Sequence, residues 1–399
     1  MLLAGHPRHA PADVASTRLA PTEWAYVAEG GANVVFRYTG PSTSPLHGHV
    51  LRIRKAGVRG ATPSDIVAFA STHVPLGSAV TYAQVAQAID VAPAFLDAMN
   101  ASLAAADRPL HRQASQLNLE MRTVLLLPNV AFDAKGAFSV EIKPKFGKVF
   151  DAHDDVHASK RRACRFCMHQ QLKLAEGKVD AVSTYCPIML FARDTMDDAL
   201  DELLATPQNN LRLFPNDLGM DRDHLRELLS AVLRRVPVLD DLARMHALDR
   251  LDIEGLYRLA ELDAQLAAET PLPTTTLGEL LADTSPPPEV LRTLQKATAD
   301  RAWTTLTLGE WQELYQRLVD EFMVATTYKD CSLLLALAPC DAAADGMENI
   351  VVLPDDSTYQ YQVAIVDLDL KTHKSLRFYY ELDGQIAQAF DDSTRVECR

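Results

Sequence analysis

Short runs of alternating hydrophobic and polar residues dominate the first third of the chain, and this pattern is typical of β-strands. From about residue 26 to 54 the pattern predicts three strands, YVA, VVFRY and HVLRIRK, separated by the turns EGGAN and TGPSTSPLHG. The segment MRTVLLLPNVAF predicts a buried strand that ends at Pro128. The turn DAKGAF then leads into a strand, EIKPK, on which Lys143 and Lys145 are expected to share one face.

Apolar residues recur at helical spacing after about residue 160. Helices are predicted over RRACRFCMHQQLKLAEGKV, DTMDDALDELLATP, DRDHLRELLSAVLRRV, LDDLARMHALDRL and TLGEWQELYQRLVDEFMVATTYK. The chain then returns to β structure with NIVVLP and YQYQVAIVDLDL, and it closes on the helix FYYELDGQIAQAF. Asp330 is therefore expected between a helix and a strand, and Asp367 and Asp369 on one face of a buried strand.

The order of these elements predicts an α+β fold with two lobes, which is the layout of a kinase-like protein. We expect a mobile tail over residues 1–20 and a β-rich N-lobe over residues 21–128. A larger, mostly helical C-lobe with a late β-hairpin is expected over residues 129–399. The Pro/Thr-rich segment near 269–290 predicts a surface loop or a hairpin insertion in that lobe.

The charge balance argues against two classes of protein. The 39 basic and 53 acidic residues give a formal charge of -14, whereas nucleic-acid and membrane-surface binders have a basic excess. The N-terminal segment has no apolar stretch long enough for a secretory signal, and the longest apolar run, LLLALAP, is too short to span a bilayer. Six cysteines without regular spacing are typical of reduced thiols, so we expect a cytoplasmic or nuclear protein.

Basic residues are concentrated between residues 141 and 173 of this acidic chain. That segment holds eight basic residues against four acidic ones, so its local charge is opposite to that of the whole chain. Near the C-terminus a second basic group consists of Lys371, Lys374 and Arg377. Cations that converge from separate segments would suit a polyanionic small molecule. A solvated charged loop is the alternative, and it fits residues 160–162 better than it fits Lys143 and Lys145.

Two short motifs in the predicted N-lobe are candidates for binding phosphate. Gly30 and Gly31 allow the backbone to approach a phosphate and to offer its N–H groups. Arg52 and Arg54 share one face of the next strand, a position from which kinases reach the nucleotide phosphates. The alternatives are an ordinary hairpin turn for the glycines and a solvent-facing edge strand for the arginines.

Three aspartates, Asp330, Asp367 and Asp369, are candidates for metal binding and proton transfer. Asp is a poor strand residue, and a buried carboxylate needs a metal or a cation as its partner. Phosphoryl transfer uses such acids to hold Mg²⁺ and to orient the attacking hydroxyl. The alternative is that an aspartate at the end of a strand caps a turn.

One set of residues has spacings that a zinc site could use. His153 and His157 are separated by three residues, and Cys164 and Cys167 by two. The gap between the two pairs is short, and CRFCMHQQLK is predicted to be one continuous helix. Reduced thiols packed on a helix are therefore favoured over a zinc site.

Several uncommon strings follow one another from about residue 22 to 390: EGGAN, VLRIRK, RPLHR, EIKPKFG, RFCMHQQLKL, TPQNNLR, LDIEG, KDCS and VDLDLK followed by YYELD. In these strings and their order the chain resembles the inositol-pentakisphosphate 2-kinase family. Those enzymes transfer the γ-phosphate of ATP to the axial 2-hydroxyl of inositol 1,3,4,5,6-pentakisphosphate, giving inositol hexakisphosphate (phytate). The resemblance implies a fold of the inositol polyphosphate kinase type and the use of ATP and Mg²⁺.

The resemblance also implies a role for each matching residue. The nucleotide would be bound by Gly30, Gly31, Ala32, Asn33, Arg52, Asn129, Glu141, Asn210 and Arg212. The inositol phosphates would be bound by Arg112, Lys145, Lys173, Asn209, Lys371 and Tyr379. Lys143 would offset the charge that develops on the transferring phosphate, and Asp330 would orient or deprotonate the 2-hydroxyl. Asp367, together with Asp330, would hold Mg²⁺.

The sequence departs from the family at several positions. His49 stands where the family can have a lysine, and the hinge string LLLPNVAF leaves the adenine contacts open. Ser375 stands where the family can place a basic residue, so Lys374 is added to the predicted substrate contacts, with Arg377 as the alternative. Some plant members have a zinc site of His and CxxC after LDIEG, but that stretch contains neither residue type here, and no zinc is predicted.

We therefore predict an ATP-dependent inositol-pentakisphosphate 2-kinase that works by in-line phosphoryl transfer. A kinase for another inositol polyphosphate is one alternative, suggested by Ser375 and by the divergent segment 55–60. A catalytically silent scaffold that binds inositol phosphates is the other, and the joint presence of Lys143, Asp330 and Asp367 disfavours it. The expected partner is the inositol polyphosphate substrate. The chain is expected to be a monomer that binds neither nucleic acid nor membrane.

Overall fold

The structure is a computed structural model. It describes residues 18–73, 82–84, 86–152, 154–268, 272–282, 284–299, 301–341, 349–371, 374–393 and 398. Most of the predicted tail over residues 1–20 lies outside the described residues, as do His153 and residues 269–271 and 283 of the predicted Pro/Thr-rich loop.

The chain divides into two compact units, each formed by two separate segments. Unit 1 consists of Met1–Val140 and Leu333–His373, and unit 2 consists of Glu141–Ser332 and Lys374–Arg399. The late β segment of the chain therefore belongs to the same unit as the first strands. The lobe boundary between residues 128 and 129 stays a prediction.

Strands are concentrated in unit 1 and helices in unit 2. The strands are β1 (Trp24–Glu29), β2 (Asn33–Tyr38), β3 (His49–Arg54), β4 (Gln87–Asp90), β5 (Thr123–Pro128), β6 (Phe138–Ile142), β7 (Leu211–Phe214), β8 (Ser332–Pro339), β9 (Ile350–Val352) and β10 (Thr358–Val366). The helices are α1 (Pro63–His73), α2 (Pro93–Ala105), α3 (Arg165–Ala175), α4 (Pro187–Phe191), α5 (Met196–Ala205), α6 (Arg222–Arg235), α7 (Val238–His246), α8 (Asp252–Ala268), α9 (Leu277–Leu280), α10 (Pro288–Thr298), α11 (Leu308–Tyr328) and α12 (Leu376–Asp391).

The first sheet of unit 1 is antiparallel, with the strand order β1-β2-β3-β5-β4. Alternation along β2 buries Val34 and Phe36 on one face, where they join Leu51 of β3 in a core that α2 covers with Leu96 and Met99. The alternating pattern places one apolar face of the sheet against α2, and the other face combines polar residues with a second apolar cluster that includes residues of β5 and α1. The turn between β1 and β2 is therefore held at the end of a packed hairpin.

A second sheet in unit 1 has the neighbour order β6-β8-β10-β9. Two of its strands are shorter than the sequence pattern predicted. β6 ends at Ile142, because Pro144 has no N–H to donate and Lys145 has a positive φ of 61°. β10 ends at Val366, and Asp367 has a φ of 61°, so the predicted placement of Asp367 and Asp369 on a buried strand is wrong.

Helices α8, α10 and α11 pack around the main core of unit 2. Leu259, Leu294 and Trp311 are completely buried there, and the indole N–H of Trp311 donates to Asp263 Oδ1 at 2.9 Å. Helix α11 begins with a capping box in which Thr307 and Glu310 satisfy each other's backbone N–H groups. The predicted Pro/Thr-rich loop contains the one-turn helix α9.

The predicted α+β fold class is confirmed, with antiparallel sheet structure and twelve α-helices among the residues that the structure describes. The chain places Asp330 between α11 and β8, as the sequence predicted. Among the described helices, none has both the length and the apolar character needed to cross a membrane.

Candidate active site

Two buried cations, Lys55 and Arg108, lie next to the glycine turn between β1 and β2. Glu29, at the end of β1, pairs with Lys55 and receives two hydrogen bonds from Arg108, at 2.7 and 3.0 Å. Burial opposes ionisation of this carboxyl, but the hydrogen bonds from Arg108 and Lys55 dominate and lower the pKa of Glu29 to about 2. Lys55 Nζ also donates to the Gly30 carbonyl at 3.0 Å, and Arg112 donates to the same oxygen. These contacts fix the backbone at the start of the turn.

The two glycines of this turn face open space. A Cβ atom added at Gly30 or Gly31 would meet no atom within 4 Å, so no packing requirement explains the absence of side chains. The Gly30 N–H donates to the Asn33 carbonyl at 2.9 Å, so the Gly31 N–H is the one that the glycine pair can offer to a bulky anion. The structure therefore keeps the predicted phosphate-binding turn open.

Arg52 of β3 lies in a polar cluster in unit 1. Its guanidinium forms an ion pair with Asp369 and lies 3.6 Å from Asp367 Oδ1. In the amide orientation that the hydrogen bonding favours, Asn33 Oδ1 accepts from Arg52 Nε at 3.1 Å and from Nη2 at 2.7 Å. Only 9% of Arg52 is exposed, so the predicted solvent-facing alternative for this residue is wrong.

The two aspartates of this cluster fit a divalent cation. Asp369 Oδ1 is buried and has no hydrogen-bond partner, and the side chain of Asp367 is 45% exposed. Mg²⁺ prefers carboxylate oxygens, and it keeps several of its water ligands. A cavity of about 30 Å³ next to Arg52 and the two aspartates has room for an ion or a few water molecules.

Glu141 lies at the centre of a polar group in unit 2. Its Oε1 accepts a hydrogen bond from Ser332 Oγ at 2.7 Å and lies 3.9 Å from Lys143 Nζ. Arg212 Nη1 lies 4.0 Å from the other carboxylate oxygen. The Lys143 N–H donates to the Asn210 carbonyl at 2.7 Å, which joins β7 to the end of β6. Two cations are thus held around one half-buried carboxylate.

Asn210 has an unusual environment for a polar side chain. It is 1% exposed, and neither its Nδ2 nor its Oδ1 atom has a hydrogen-bond partner. Leaving a buried amide unpaired costs about 1–3 kcal/mol per group, so such residues are kept where a ligand completes them. This observation supports the predicted role of Asn210 in binding a ligand.

Lys145 forms an ion pair with the candidate catalytic carboxylate. Its Nζ donates to Asp330 Oδ1 at 3.0 Å, and the Asp330 side chain is half-exposed. The Tyr379 hydroxyl is buried without a hydrogen-bond partner, and burial followed by the charge of Asp330 raises the pKa of Tyr379 to about 12. Tyr379 therefore stays a neutral hydrogen-bond donor near Asp330 at physiological pH.

Positive charges surround the exposed face of α3. Burial lowers the pKa of Lys173, and the positive charge of Lys145 lowers it further. Burial and then the charges of Arg165, Lys173 and Lys145 lower the pKa of His169 to about 3, so its imidazole is neutral at pH 7. Cations that depress one another's pKa values in this way are stabilised when an anion binds between them.

A cavity of about 630 Å³ adjoins these cations. It is lined in part by Lys173, Lys178, Gln208 and Asn209. This volume is in the range of small-molecule sites, and its lining offers both ammonium and amide donors. Two of the predicted substrate-binding residues, Lys173 and Asn209, are thus brought together at one cavity of unit 2.

A comparison with known proteins agrees with these features. The profile of the family described as inositol-pentakisphosphate 2-kinase matches residues 26–385. The chain belongs to the inositol-pentakisphosphate 2-kinase family. This membership confirms both the resemblance noted in the sequence and the predicted class of enzyme, a phosphotransferase that acts on an inositol polyphosphate.

Relatives in plants and animals match over most of their length. The inositol-pentakisphosphate 2-kinase of Arabidopsis thaliana is 26% identical over 94% of this chain and 95% of its own. The inositol-pentakisphosphate 2-kinase IPK1 of Oryza sativa subsp. indica is 25% identical over 94% of each chain. The inositol-pentakisphosphate 2-kinase of Danio rerio is 25% identical over 66% of this chain and 69% of its own.

Ser375 has a structural role that the sequence comparison with the family did not predict. It is the N-cap of α12, and its Oγ accepts a hydrogen bond from the Phe378 N–H at 3.2 Å. Lys374 lies over the Phe378 ring and 6.0 Å from the centre of the Tyr379 ring, whereas Arg377 pairs with Glu381 on the exposed face of the helix. This geometry favours Lys374 over Arg377 as the predicted phosphate contact.

The remaining predicted residues have varied surroundings. Arg112 belongs to unit 1, where it contacts the glycine turn, whereas most of the other predicted substrate residues belong to unit 2. Asn129 donates through its N–H to the Gly48 carbonyl at 2.7 Å and caps the Ala131 N–H at 3.2 Å. Lys371 directly follows the buried Leu370 in unit 1. The assigned roles of all these residues stay predictions.

The sequence patterns did not reveal several residues of the site. Glu29, Lys55 and Arg108 support the glycine turn, and His169 lies among the cations of α3. Burial of a charged network is not visible in a local pattern. The signal available was the string RF-x-MHQ, which contains both Arg165 and His169 on one helix.

The prediction that residues 160–162 form a solvated loop is wrong for Lys160. This side chain is 3% exposed and contacts three carboxylates, those of Asp252, Glu254 and Asp383. These attractions outweigh burial and raise the pKa of Lys160 above its ordinary value. One ammonium group that belongs to the fold thereby offsets part of the negative charge of the three acids.

The four residues considered for zinc are also arranged differently from the sequence pattern. His157 contacts Ser159 and lies 3.8 Å from Asp391, while Cys164 and Cys167 lie among other thiols. His153 lies outside the described residues. The predicted continuous helix over this segment is α3, which begins after Cys164.

Proposed function

We propose that this protein transfers the γ-phosphoryl group of ATP to the 2-hydroxyl of inositol 1,3,4,5,6-pentakisphosphate, giving inositol hexakisphosphate by in-line transfer. The observation that supports it most strongly is the convergence, within unit 2, of Lys145, Lys173 and Tyr379 around Asp330. Membership of the inositol-pentakisphosphate 2-kinase family gives this set of groups its substrate class.

The substrate's phosphates would be held by the cations of unit 2. A pentakisphosphate loses strong hydration when it binds, and several charge-assisted hydrogen bonds are needed to offset that loss. Lys145 uses one of its three N–H donors on Asp330, which leaves two for a phosphate. Lys173 and Asn209 at the cavity, with Lys374 and Tyr379 at α12, would supply further contacts.

Asp330 would act on the 2-hydroxyl. Its carboxylate is half-exposed and is oriented by Lys145, and a carboxylate held in this way would accept the hydroxyl proton. Lys143, in the polar group around Glu141, would offset the charge that develops on the transferring phosphoryl group. Glu141, Asn210 and Arg212 would contact the nucleotide.

Unit 1 would contribute the nucleotide turn and the metal ligands. The turn from Gly30 to Asn33 would present the Gly31 and Ala32 N–H groups to the phosphates, with Arg52 beside them. Asp367, joined by Asp369, would hold Mg²⁺, which neutralises phosphate charge when bound, and the metal role of Asp330, a residue of unit 2, stays a prediction. Arg52 offsets the charge of the two carboxylates before the metal arrives.

The position of the new phosphate tests this proposal. Purified protein is incubated with ATP, Mg²⁺ and inositol 1,3,4,5,6-pentakisphosphate, and the product is analysed by ³¹P and ¹H NMR. A hexakisphosphate with the new group on the axial 2-oxygen is expected. ATP consumption that yields a product only with a different inositol phosphate would contradict the substrate, and no turnover with any of them would favour a binding protein.

A further inference from the structure

Four cysteine thiols meet in unit 2, and none of them belongs to the groups assigned to catalysis. The Sγ atoms of Cys164, Cys167, Cys186 and Cys398 all lie within 4.8 Å of one another. They come from three places in the chain. Cys164 and Cys167 are at the start of α3, Cys186 is the N-cap of α4, and Cys398 is next to the last residue.

The thiol cluster is mostly buried, and hydrogen bonds hold Cys398, the member that is most distant in sequence. Cys164, Cys167 and Cys186 are completely buried. Cys398 donates through its N–H to the Arg162 carbonyl at 3.0 Å, and its Sγ accepts from the Cys164 N–H at 3.0 Å. N–H···S bonds of this kind are common where a sulfur carries negative charge. Cys398 is therefore fixed by hydrogen bonds against the start of α3.

The geometry matches a tetrahedral ion better than a disulfide. Zn–S bonds of about 2.3 Å place the four sulfurs of a tetrahedral site about 3.8 Å apart, which is within the 4.8 Å limit of this cluster. A disulfide would bring one pair to about 2.05 Å and would leave the other two thiols without a role. No disulfide joins the cysteines of the chain.

We propose that Cys164, Cys167, Cys186 and Cys398 bind one structural Zn²⁺ ion. The four thiols release four protons to solvent as four S–Zn bonds form, giving a closed site of four thiolates. Since all four positions are taken by the protein, this ion has no open position for a substrate and takes no part in phosphoryl transfer. The N-terminus of α3 at Cys164 favours the negative charge of the thiolates.

A zinc ion at this position would link Cys398 covalently to the cysteines at the start of α3. Cys398 packs with Met168, Ile386 and Phe390 in the core shared by α3 and α12. Helix α3 also presents His169 and Lys173 to the cation group of the candidate site. The ion therefore stabilises the helix that positions these side chains, and its loss is expected to lower the thermal stability of unit 2.

Metal content of the purified full-length protein tests the site. Inductively coupled plasma mass spectrometry is expected to find about one zinc ion per chain in the wild type. Cys398→Ser and Cys186→Ser are expected to lose most of this zinc. Cys340→Ser is the matched control, because Cys340 is partly exposed like Cys398 but lies outside the cluster, and it is expected to keep the wild-type zinc content.

A measurement on the wild type covers the case in which a variant fails to fold. Zinc X-ray absorption is expected to show four sulfur ligands at about 2.3 Å. Nitrogen or oxygen ligands in the first coordination sphere would overturn the proposal. So would wild-type protein that binds no zinc when Zn²⁺ is added to the reduced chain, iron in place of zinc, or equal zinc content in Cys398→Ser and Cys340→Ser.

Discussion

Lys143 and Lys145 are two residues apart and have different partners. Lys143 Nζ lies 3.9 Å from Glu141, while Lys145 Nζ donates to Asp330 at 3.0 Å. The positive φ of Lys145 redirects the chain after β6, so the two ammonium groups are not on one strand face as the alternation suggested. This turn allows neighbouring cations to serve two anions, which is what a transfer between two phosphorylated substrates requires.

Replacing Lys173 by alanine tests the division between substrate and nucleotide contacts. A hydrogen bond to a charged group contributes about 1.5–3 kcal/mol, so KM for the pentakisphosphate is expected to rise about 10- to 100-fold. KM for ATP should change by less than about twofold, because Lys173 lines the cavity of unit 2 and not the glycine turn. Steady-state kinetics with each substrate varied in turn would measure both values.

The control for this variant is Lys135→Ala, since Lys135 is an exposed lysine between β5 and β6. It is expected to leave both KM values at the wild-type level. Equal increases in the two KM values for Lys173→Ala would contradict the assigned role.

The pKa of His169 is expected to rise when a polyphosphate binds near α3. Its pKa is about 3 in the free protein, because of burial and then the surrounding cations. A bound polyphosphate offsets those cations and raises the pKa of His169, so binding takes up a proton and becomes tighter as the pH falls. NMR titration of the imidazole with and without inositol hexakisphosphate would show the shift.

His246 provides an internal control for this titration. Its pKa is also lowered to about 3, but it lies between the rings of Phe146 and Phe191 and is 4% exposed. Its pKa is expected to stay where it is. An unchanged pKa of His169 in the saturated complex would show that no phosphate binds near α3.

At the scale of elements, one buried ammonium group joins parts of unit 2 that are distant in sequence. Lys160 lies 2.6 Å from Asp252 and 2.9 Å from Glu254, both at the start of α8, and it also pairs with Asp383 of α12. Burial raises the pKa of Asp383, and the positive charge of Lys160 opposes this rise, so Asp383 depends on the cation to stay charged.

Lys160→Met is expected to lower the free energy of unfolding by about 3–5 kcal/mol, because it leaves buried carboxylates without their cation. Lys296→Met is the matched control. Lys296 contacts Asp154 at 2.7 Å but is 46% exposed, and exposed pairs contribute less than about 1 kcal/mol. Chemical denaturation of both variants would measure the difference, and equal losses would contradict the network's role.

The sequence pattern predicted where elements lie better than where they end. Helix α11 and the turn between β1 and β2 follow directly from apolar spacing and from glycine placement. The ends of β6 and β10 were missed, because the alternation of apolar residues continues through Lys145 and Asp367 and does not show the positive φ of either residue.

The site was predictable only where residues stand in distinctive strings. Lys145, Lys173 and Asp330 were named from such strings, and the structure places them close together in unit 2. The burial of Lys160 could not be predicted, since its three partners lie about 90 to 220 residues further along the chain. The thiol cluster could not be predicted either, because only Cys164 and Cys167 are close together in the sequence.

At the scale of the whole molecule, the local charge around α3 is opposite in sign to the net charge of the chain. The chain has a net charge of -14, yet cations surround the face of α3 and the cavity beside it. An acidic surface repels polyanions in general, so a local basic site favours ligands whose phosphates match its spacing. The distribution agrees with a kinase for a small polyphosphate.

The central claim is that Asp330 and the cations around it phosphorylate the 2-hydroxyl of the pentakisphosphate. The most direct measurement compares wild type and Asp330→Ala for conversion of inositol 1,3,4,5,6-pentakisphosphate with ATP and Mg²⁺, with separation of the products. We predict hexakisphosphate from the wild type and a rate lower by about 10²- to 10⁴-fold in the variant. Equal conversion by both proteins, or ATP consumption that does not depend on Asp330, would contradict this account.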